Sequence, residues 1–146
     1  MFRDLMSNDH RHCDDLFAVT DTAIGKKQWA AAASSWAEFR QAMEAHLGAE
    51  ENTLFPAFEQ ASGMTMGPTR VMRMEHDQIR ELMADAARAI DDQLADAAAG
   101  YLDTLLIMMQ QHNMKEENIL YPMIDEHLSA SAAELGEQVR QALSPR

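Results

Sequence analysis

Two copies of one motif decide the fold of this chain: residues 46–56 read HLGAEENTLFP, and residues 112–122 read HNMKEENILYP. Each copy has a histidine, a glutamate four positions later and a proline six positions after that glutamate. A second matching pair lies upstream, because Asp9-His10 recurs as Glu75-His76, again 66 positions later. We therefore expect two copies of one helix hairpin, related by a pseudo-twofold axis.

Apolar residues along the rest of the chain follow the spacing of α-helices. They recur at steps of three and four along four long segments, which is typical of helices that bury one face. Proline and glycine are rare, with 4 and 6 residues, and no alternating run of β-branched residues indicates a strand. We predict an all-α chain whose four helices form an up-down-up-down four-helix bundle.

The bundle should occupy residues 5–128, and the whole chain, 1–146, should form a single domain. A length of 146 residues is usual for a domain with one core. A short C-terminal helix is predicted at residues 131–143, because Ser131 and Glu134 have the spacing of a capping box. The fourth bundle helix should break at Pro122, since proline is unfavourable inside a helix.

The charge of the chain argues against two kinds of partner. Its 24 acidic and 12 basic residues give a formal net charge of −12, which disfavours binding to a nucleic-acid backbone or to an anionic membrane surface. No apolar stretch is long enough to span a bilayer. Because Cys13 is the single cysteine and no apolar leader follows Met1, we expect a cytoplasmic protein.

Six polar residues lie at positions where the helical pattern demands apolar ones. In both motif copies the histidine and the glutamate are one turn apart on the buried face, and the upstream histidines also fall on buried faces. An unpaired buried carboxylate costs several kcal/mol, whereas imidazole nitrogens and carboxylate oxygens are good metal ligands. The pattern therefore predicts a metal pair, bridged by two glutamates with two histidines on each side, held by His10, His46, Glu50, His76, His112 and Glu116.

Other polar or reactive residues have simpler explanations. His12 is about 200° round the helix from His10 and should face solvent, and His127 has no counterpart in the first motif copy. We expect Cys13 to pack in the core, as should most of the 12 methionines, rather than bind copper. Three neighbours of the site are left open as contributors to it, namely Glu51, Glu117 and Tyr121.

The motifs resemble those of the hemerythrin-like, or HHE cation-binding, family over roughly residues 5–128. The resemblance rests on Asp9-His10-Arg11, on Glu75-His76-Asp77 and on the two His-x-x-x-Glu-Glu-x-x-Leu-Phe/Tyr-Pro blocks. It implies a four-helix bundle around two iron ions in a non-haem, oxo- or hydroxo-bridged centre, with the six residues given above as ligands. Members that carry O2 have His-x-x-x-His on the third helix, whereas here Met72 and Arg80 flank the histidine.

The function implied by this resemblance is that of a di-iron protein that binds or responds to O2 or to a related small molecule or anion, such as NO or peroxide. Two alternatives stay open: a di-iron enzyme similar to a peroxidase or nitric oxide reductase, and a protein that stores or senses iron. The Glu-x-x-His pairs of ferritin-like oxidases do not occur in the sequence. We therefore expect a metal-binding protein rather than an enzyme, and the pattern predicts no particular oligomeric state.

Overall fold

Seven α-helices and no strand make up the computed structural model, which describes residues 1–144. This confirms the predicted all-α four-helix bundle with a short C-terminal helix; residues 145–146 of the predicted domain lie outside the described part. None of these seven helices has both the length and the apolar character needed to cross a membrane. The helices are α1 (Phe2–Gly25), α2 (Trp29–Ala49), α3 (Phe55–Ser62), α4 (Pro68–Asp91), α5 (Ala95–Lys115), α6 (Tyr121–His127) and α7 (Ala132–Leu143).

Two π-helical turns join α2 to α3 and α5 to α6 without a break. They span Glu50–Leu54 and Glu116–Leu120, the same positions in the two motif copies. Each turn ends two residues before a proline, whose ring would clash with the carbonyl four residues earlier in a regular α-helix. A π turn is wider than an α turn. The prediction that the fourth helix breaks at Pro122 is therefore wrong, because the wider turn lets the helix continue to His127.

The two helix hairpins have the same connecting turn. Lys27, between α1 and α2, and Gln93, between α4 and α5, both have a φ of 55°. In both turns the N–H of the next residue donates to the carbonyl five residues earlier, at 2.9 Å, which is the hydrogen bond of a Schellman motif. The repeat in the sequence is thus also a repeat of backbone geometry.

Two apolar clusters fill the bundle and leave a polar layer between them. The first cluster lies toward the hairpin turns and includes Phe39, and the second lies at the opposite end and includes Phe55. In α1, Met6 belongs to the second cluster and Cys13 to the first, and His10 lies between them. The polar layer therefore has apolar side chains both above and below it.

The seventh helix covers the outer end of the bundle. It packs against α2 and the first π turn, and it places Val139 and Leu143 in the second apolar cluster. The predicted capping box of Ser131 and Glu134 does not form, since Ser131 makes no side-chain cap hydrogen bond. Its ψ of 9° is not extended, whereas a capping residue needs an extended backbone to direct its side chain back to the helix.

Candidate metal centre

The polar layer contains all six residues predicted as metal ligands. The two glutamates begin the π turns, two histidines lie in the last turns of α2 and α5, and the other two come from α1 and α4. All six side chains are buried, with exposed fractions of 4% or less. Four helices and two π turns thus bring together four imidazoles and two carboxylates that are far apart in the sequence.

The candidate ligand atoms form two groups, within each of which all atoms lie within 4.8 Å of one another. Position one consists of His10, His46 and Glu116; position two consists of Glu50, His76, His112 and Glu116. Glu116 belongs to both groups. Its Oε1 atom lies 3.1 Å from Nε2 of His10 and 3.3 Å from Nε2 of His112, so Glu116 connects the two groups.

Two outer glutamates hold the imidazoles of α1 and α4. The Nδ1 atom of His10 lies 2.6 Å from Oε2 of Glu117, and the Nδ1 atom of His76 lies 2.6 Å from Oε2 of Glu51. The first contact joins a histidine of the first repeat to a glutamate of the second, and the other contact joins a histidine of the second repeat to a glutamate of the first, as a pseudo-twofold axis requires. Glu51 and Glu117, whose contribution the sequence did not decide, therefore contact the outer nitrogens of the imidazoles. Each Nε2 is directed at one of the two central glutamates, that of His10 at Glu116 and that of His76 at Glu50, both at 3.1 Å.

Two further carboxylates hold the other imidazoles. The Nδ1 atom of His46 lies 2.8 Å from Asp9, and that of His112 lies 2.8 Å from Glu75. A carboxylate on the second ring nitrogen fixes the orientation of a ligating histidine and raises its basicity. Sequence reasoning gave Asp9 and Glu75 no role, although an acidic residue directly before the upstream histidine in both repeats was a usable signal.

Tyr121 reaches the centre of the layer and makes its two halves unequal. Its hydroxyl lies 2.8 Å from Oε2 of Glu50, 3.0 Å from Oε1 of Glu116 and 3.2 Å from an imidazole of position one. The equivalent residue in the other repeat is Phe55, which stacks on His76 with ring centroids 5.7 Å apart. Burial and the two carboxylates raise the pKa of Tyr121 well above its usual range. The hydroxyl therefore keeps its proton, and Phe55 brings no such group to the other half of the layer.

The two central glutamates differ in acidity. Burial and the nearby Glu116 raise the pKa of Glu50 well above its usual range. Burial acts in the same direction on Glu116, but His112 and hydrogen bonds from Glu50 and His10 outweigh it and lower the pKa of Glu116. Burial also opposes protonation of His112, yet Glu116 and Glu50 raise its pKa to about 9. Without a cation, His112 therefore holds a proton at neutral pH.

The donor set fits a pair of transition-metal ions. Imidazole nitrogens and carboxylate oxygens are ligands of iron and similar metals. Among the described residues, Oε2 of Glu116 is buried without a hydrogen-bond partner, and such a group costs about 1–3 kcal/mol when left unsatisfied. Glu116 belongs to both positions, where a bound cation would satisfy this oxygen.

Residues outside the layer lie where the sequence predicts them. His12 and His127 are exposed, and Cys13 is 2% exposed within the first apolar cluster. Met72, one turn before the histidine of α4, packs in the second apolar cluster. None of these four residues has an atom in either group of candidate ligands.

A helical bundle with a buried layer of histidines and carboxylates defines a class of metal-binding proteins. The family model described as hemerythrin HHE cation binding domain matches residues 1–124. The chain therefore belongs to the hemerythrin HHE cation-binding domain family. The resemblance indicated by its motifs is confirmed.

A similar curated protein is the iron-sulfur cluster repair protein YtfE of Enterobacter sp. (strain 638). It is 33% identical over an alignment of 86 positions that covers 53% of this chain and 39% of that protein. The match thus spans less than half of the length of the relative. No solved structure matches the chain.

Proposed function

We propose that this chain holds two iron ions in its polar layer and binds or responds to O2 or to a related small molecule such as NO or peroxide. The observation that carries this proposal is that both groups of ligand atoms include Glu116. The family is one of cation-binding domains, and the similar YtfE is named for iron-sulfur cluster repair. Both findings support iron as the metal. The cytoplasmic location of the protein stays a prediction.

The residues around the layer would prepare it for this function. The outer carboxylates orient the imidazoles so that each Nε2 is available as a ligand. The two apolar clusters exclude water from both sides, which strengthens electrostatic interactions within the layer. Bound iron would supply redox chemistry and a coordination position for the small molecule. The Tyr121 hydroxyl is placed to donate a hydrogen bond to Glu50 or Glu116.

Iron content tests the proposal directly. Protein reconstituted with iron(II) under anaerobic conditions should contain two iron ions per chain. Glu116→Ala should lose both ions because Glu116 is shared, whereas His10→Ala should lose only the ion at position one. His12→Ala is the matched control, since it removes an exposed imidazole two residues away, and should keep both ions. A reproducible content near zero or one in the unchanged chain would contradict the proposal.

The visible spectrum tests the small-molecule part of the proposal. The spectrum of the iron-loaded, reduced protein should change on addition of O2, and this change should be absent in Glu116→Ala. An unchanged spectrum after O2, NO and peroxide in protein that contains two iron ions would contradict a role in binding these molecules.

A second candidate function, the handling of iron itself, is favoured by the similarity to YtfE. A protein that stores or delivers iron should lose its ions to an acceptor protein at a useful rate, whereas a protein that binds O2 should retain them. Incubation of the loaded chain with an iron-free acceptor, followed by separation and iron analysis of both, distinguishes the two functions.

A further inference from the structure

One pair of equivalent residues outside the polar layer differs in charge between the repeats. Asp14 follows the histidine of α1 by one turn, and Arg80 follows the histidine of α4 by one turn. Arg80 donates from Nη1 and Nη2 to the two oxygens of Glu51, at 2.7 and 3.0 Å, and from Nε to Glu44, at 3.2 Å. Glu51 in turn holds Nδ1 of His76. The guanidinium thus fixes the carboxylate that fixes the imidazole.

The opposite side of the layer has no such fork among the described residues. Glu117 is equivalent to Glu51 and holds His10, but Asp14 stands in the place of Arg80, and Gln110 in that of Glu44. Burial raises the pKa of Asp14 and the like charge of Glu117 adds to this effect, although His10 opposes it. The nearby Arg11 hydrogen-bonds to Asn8.

A surface cleft opens on the side of the layer that holds His10 and Glu117. It has a volume of about 480 Å³, and its lining includes His10, Asp14, Asn113 and Glu117. The Glu117 side chain is 32% exposed, against 22% for Glu51. His10 is therefore a candidate ligand whose outer partner can move into open space, whereas the histidine of α4 is fully buried.

We propose that the two metal positions release their ions at different rates. Arg80 holds the histidine and the outer glutamate of position two in place, whereas His10 and Glu117 are able to turn toward the cleft and release the ion at position one. The inference rests on the proposed metal pair. For an imidazole to leave a metal ion it must turn, which breaks its hydrogen bond unless the carboxylate moves with it. Glu117 is able to follow His10, but Glu51 is held through both oxygens by a bidentate, charge-assisted contact.

The release of iron to a chelator tests this proposal. Protein loaded anaerobically with two iron(II) ions is mixed with an excess of a chelator that becomes coloured on binding iron(II). The unchanged chain should lose iron in two phases of equal amplitude. Removal of a direct partner of a metal ligand typically costs about 10–100-fold in metal affinity. Arg80 acts one contact further out, through Glu51, so Arg80→Ala should speed the slow phase by up to roughly tenfold and leave the fast phase unchanged.

Two further variants distinguish the effect of the bidentate hydrogen bonds of Arg80 from the effect of its charge alone. Loss of a positive charge near two cations would by itself strengthen binding, so an effect of charge alone would slow release in Arg80→Ala. Arg80→Lys keeps the charge but loses the bidentate fork and should also speed the slow phase. Arg88→Ala, which removes an exposed arginine of the same helix, is the matched control and should leave both phases unchanged.

The converse variant is Asp14→Arg, which places a guanidinium opposite Glu117 and should slow the fast phase. A single phase of release from the unchanged chain, or a slow phase that is the same in Arg80→Ala and Arg80→Lys as in Arg88→Ala, would overturn the proposal of unequal exchange. Failure of the unchanged chain to bind two ions would instead overturn the proposed function, so the two failures are distinguishable.

Discussion

At the scale of single residues, Tyr121 contributes a hydroxyl group to a layer whose other polar groups are imidazoles and carboxylates. We expect Tyr121→Phe to lower the free energy of unfolding of the metal-free protein by about 1–3 kcal/mol, because a buried carboxylate oxygen loses its donor. The ring stays, so packing should be kept. Urea denaturation measures the effect. Tyr101→Phe is the control, since Tyr101 is 38% exposed; equal stability of the two variants would contradict the prediction.

His112 should make metal binding depend on pH. Its pKa of about 9 means that it carries a proton at neutral pH in the metal-free chain, and a metal ion must displace that proton to bind. The apparent affinity for iron(II) should therefore rise between about pH 6 and pH 8, by up to tenfold per pH unit for each proton displaced. The buried Glu50 should add to the effect, because its pKa is also raised.

Titration calorimetry in two buffers of different ionisation enthalpy counts the protons released on binding. The control is His12→Ala, which should release as many protons as the unchanged chain, because His12 is exposed and lies outside both positions. An affinity that is constant over this pH range, with no protons released, would contradict a protonated His112 in the metal-free state.

At the scale of helices, α1 begins with the help of a residue from α6. The N–H of Phe2 donates to Oδ1 of Asp125 at 2.7 Å, and the N–H of Arg3 donates to Oδ2 at 3.3 Å. The first N–H groups of a helix have no partner within it, and a carboxylate there also complements the helix dipole. Asp125 therefore caps α1 and ties its first turn to α6.

Replacement of this cap should destabilise the bundle. We expect Asp125→Ala to lower the free energy of unfolding by about 0.5–2 kcal/mol, the usual cost of losing a capping side chain. Asp125→Asn keeps an acceptor and should cost less. Glu126→Ala, at the exposed neighbour, is the control in urea denaturation. If Asp125→Ala were no less stable than this control, the cap would have no energetic role.

The helices themselves could be predicted from local patterns, because buried residues at steps of three and four define a helix wherever it packs. The π turns could not. A π turn adds one residue while the apolar spacing resumes on both sides, so the sequence predicted an end at Pro122 instead of a wider turn. The same limit applies to Ser131, which ends a 3-10 turn at Ser129–Ser131 that the sequence pattern did not predict.

At the scale of the whole molecule, the convergence of six polar side chains could be predicted because they occur at buried positions and in duplicate. Their role as metal ligands stays a prediction. The partners of their outer nitrogens could not be assigned, since they depend on which helices are neighbours. The difference between Tyr121 and Phe55, and that between Asp14 and Arg80, was visible in the sequence. Its meaning required the three-dimensional placement of each pair beside the layer.

Metal binding should stabilise the whole molecule against heat without being required for its helices. A ligand that binds only the native state stabilises it by about 2.7 kcal/mol at one hundred times its Kd, which in a domain of this size corresponds to a rise in Tm of about 5–10 °C. The two apolar clusters do not include the six candidate ligands, so far-ultraviolet circular dichroism should show helices in the metal-free protein. Glu116→Ala should show no metal-dependent rise in Tm. An identical melting curve of the unchanged chain with and without iron(II) would contradict the prediction, and would mean that the six residues satisfy one another by hydrogen bonds.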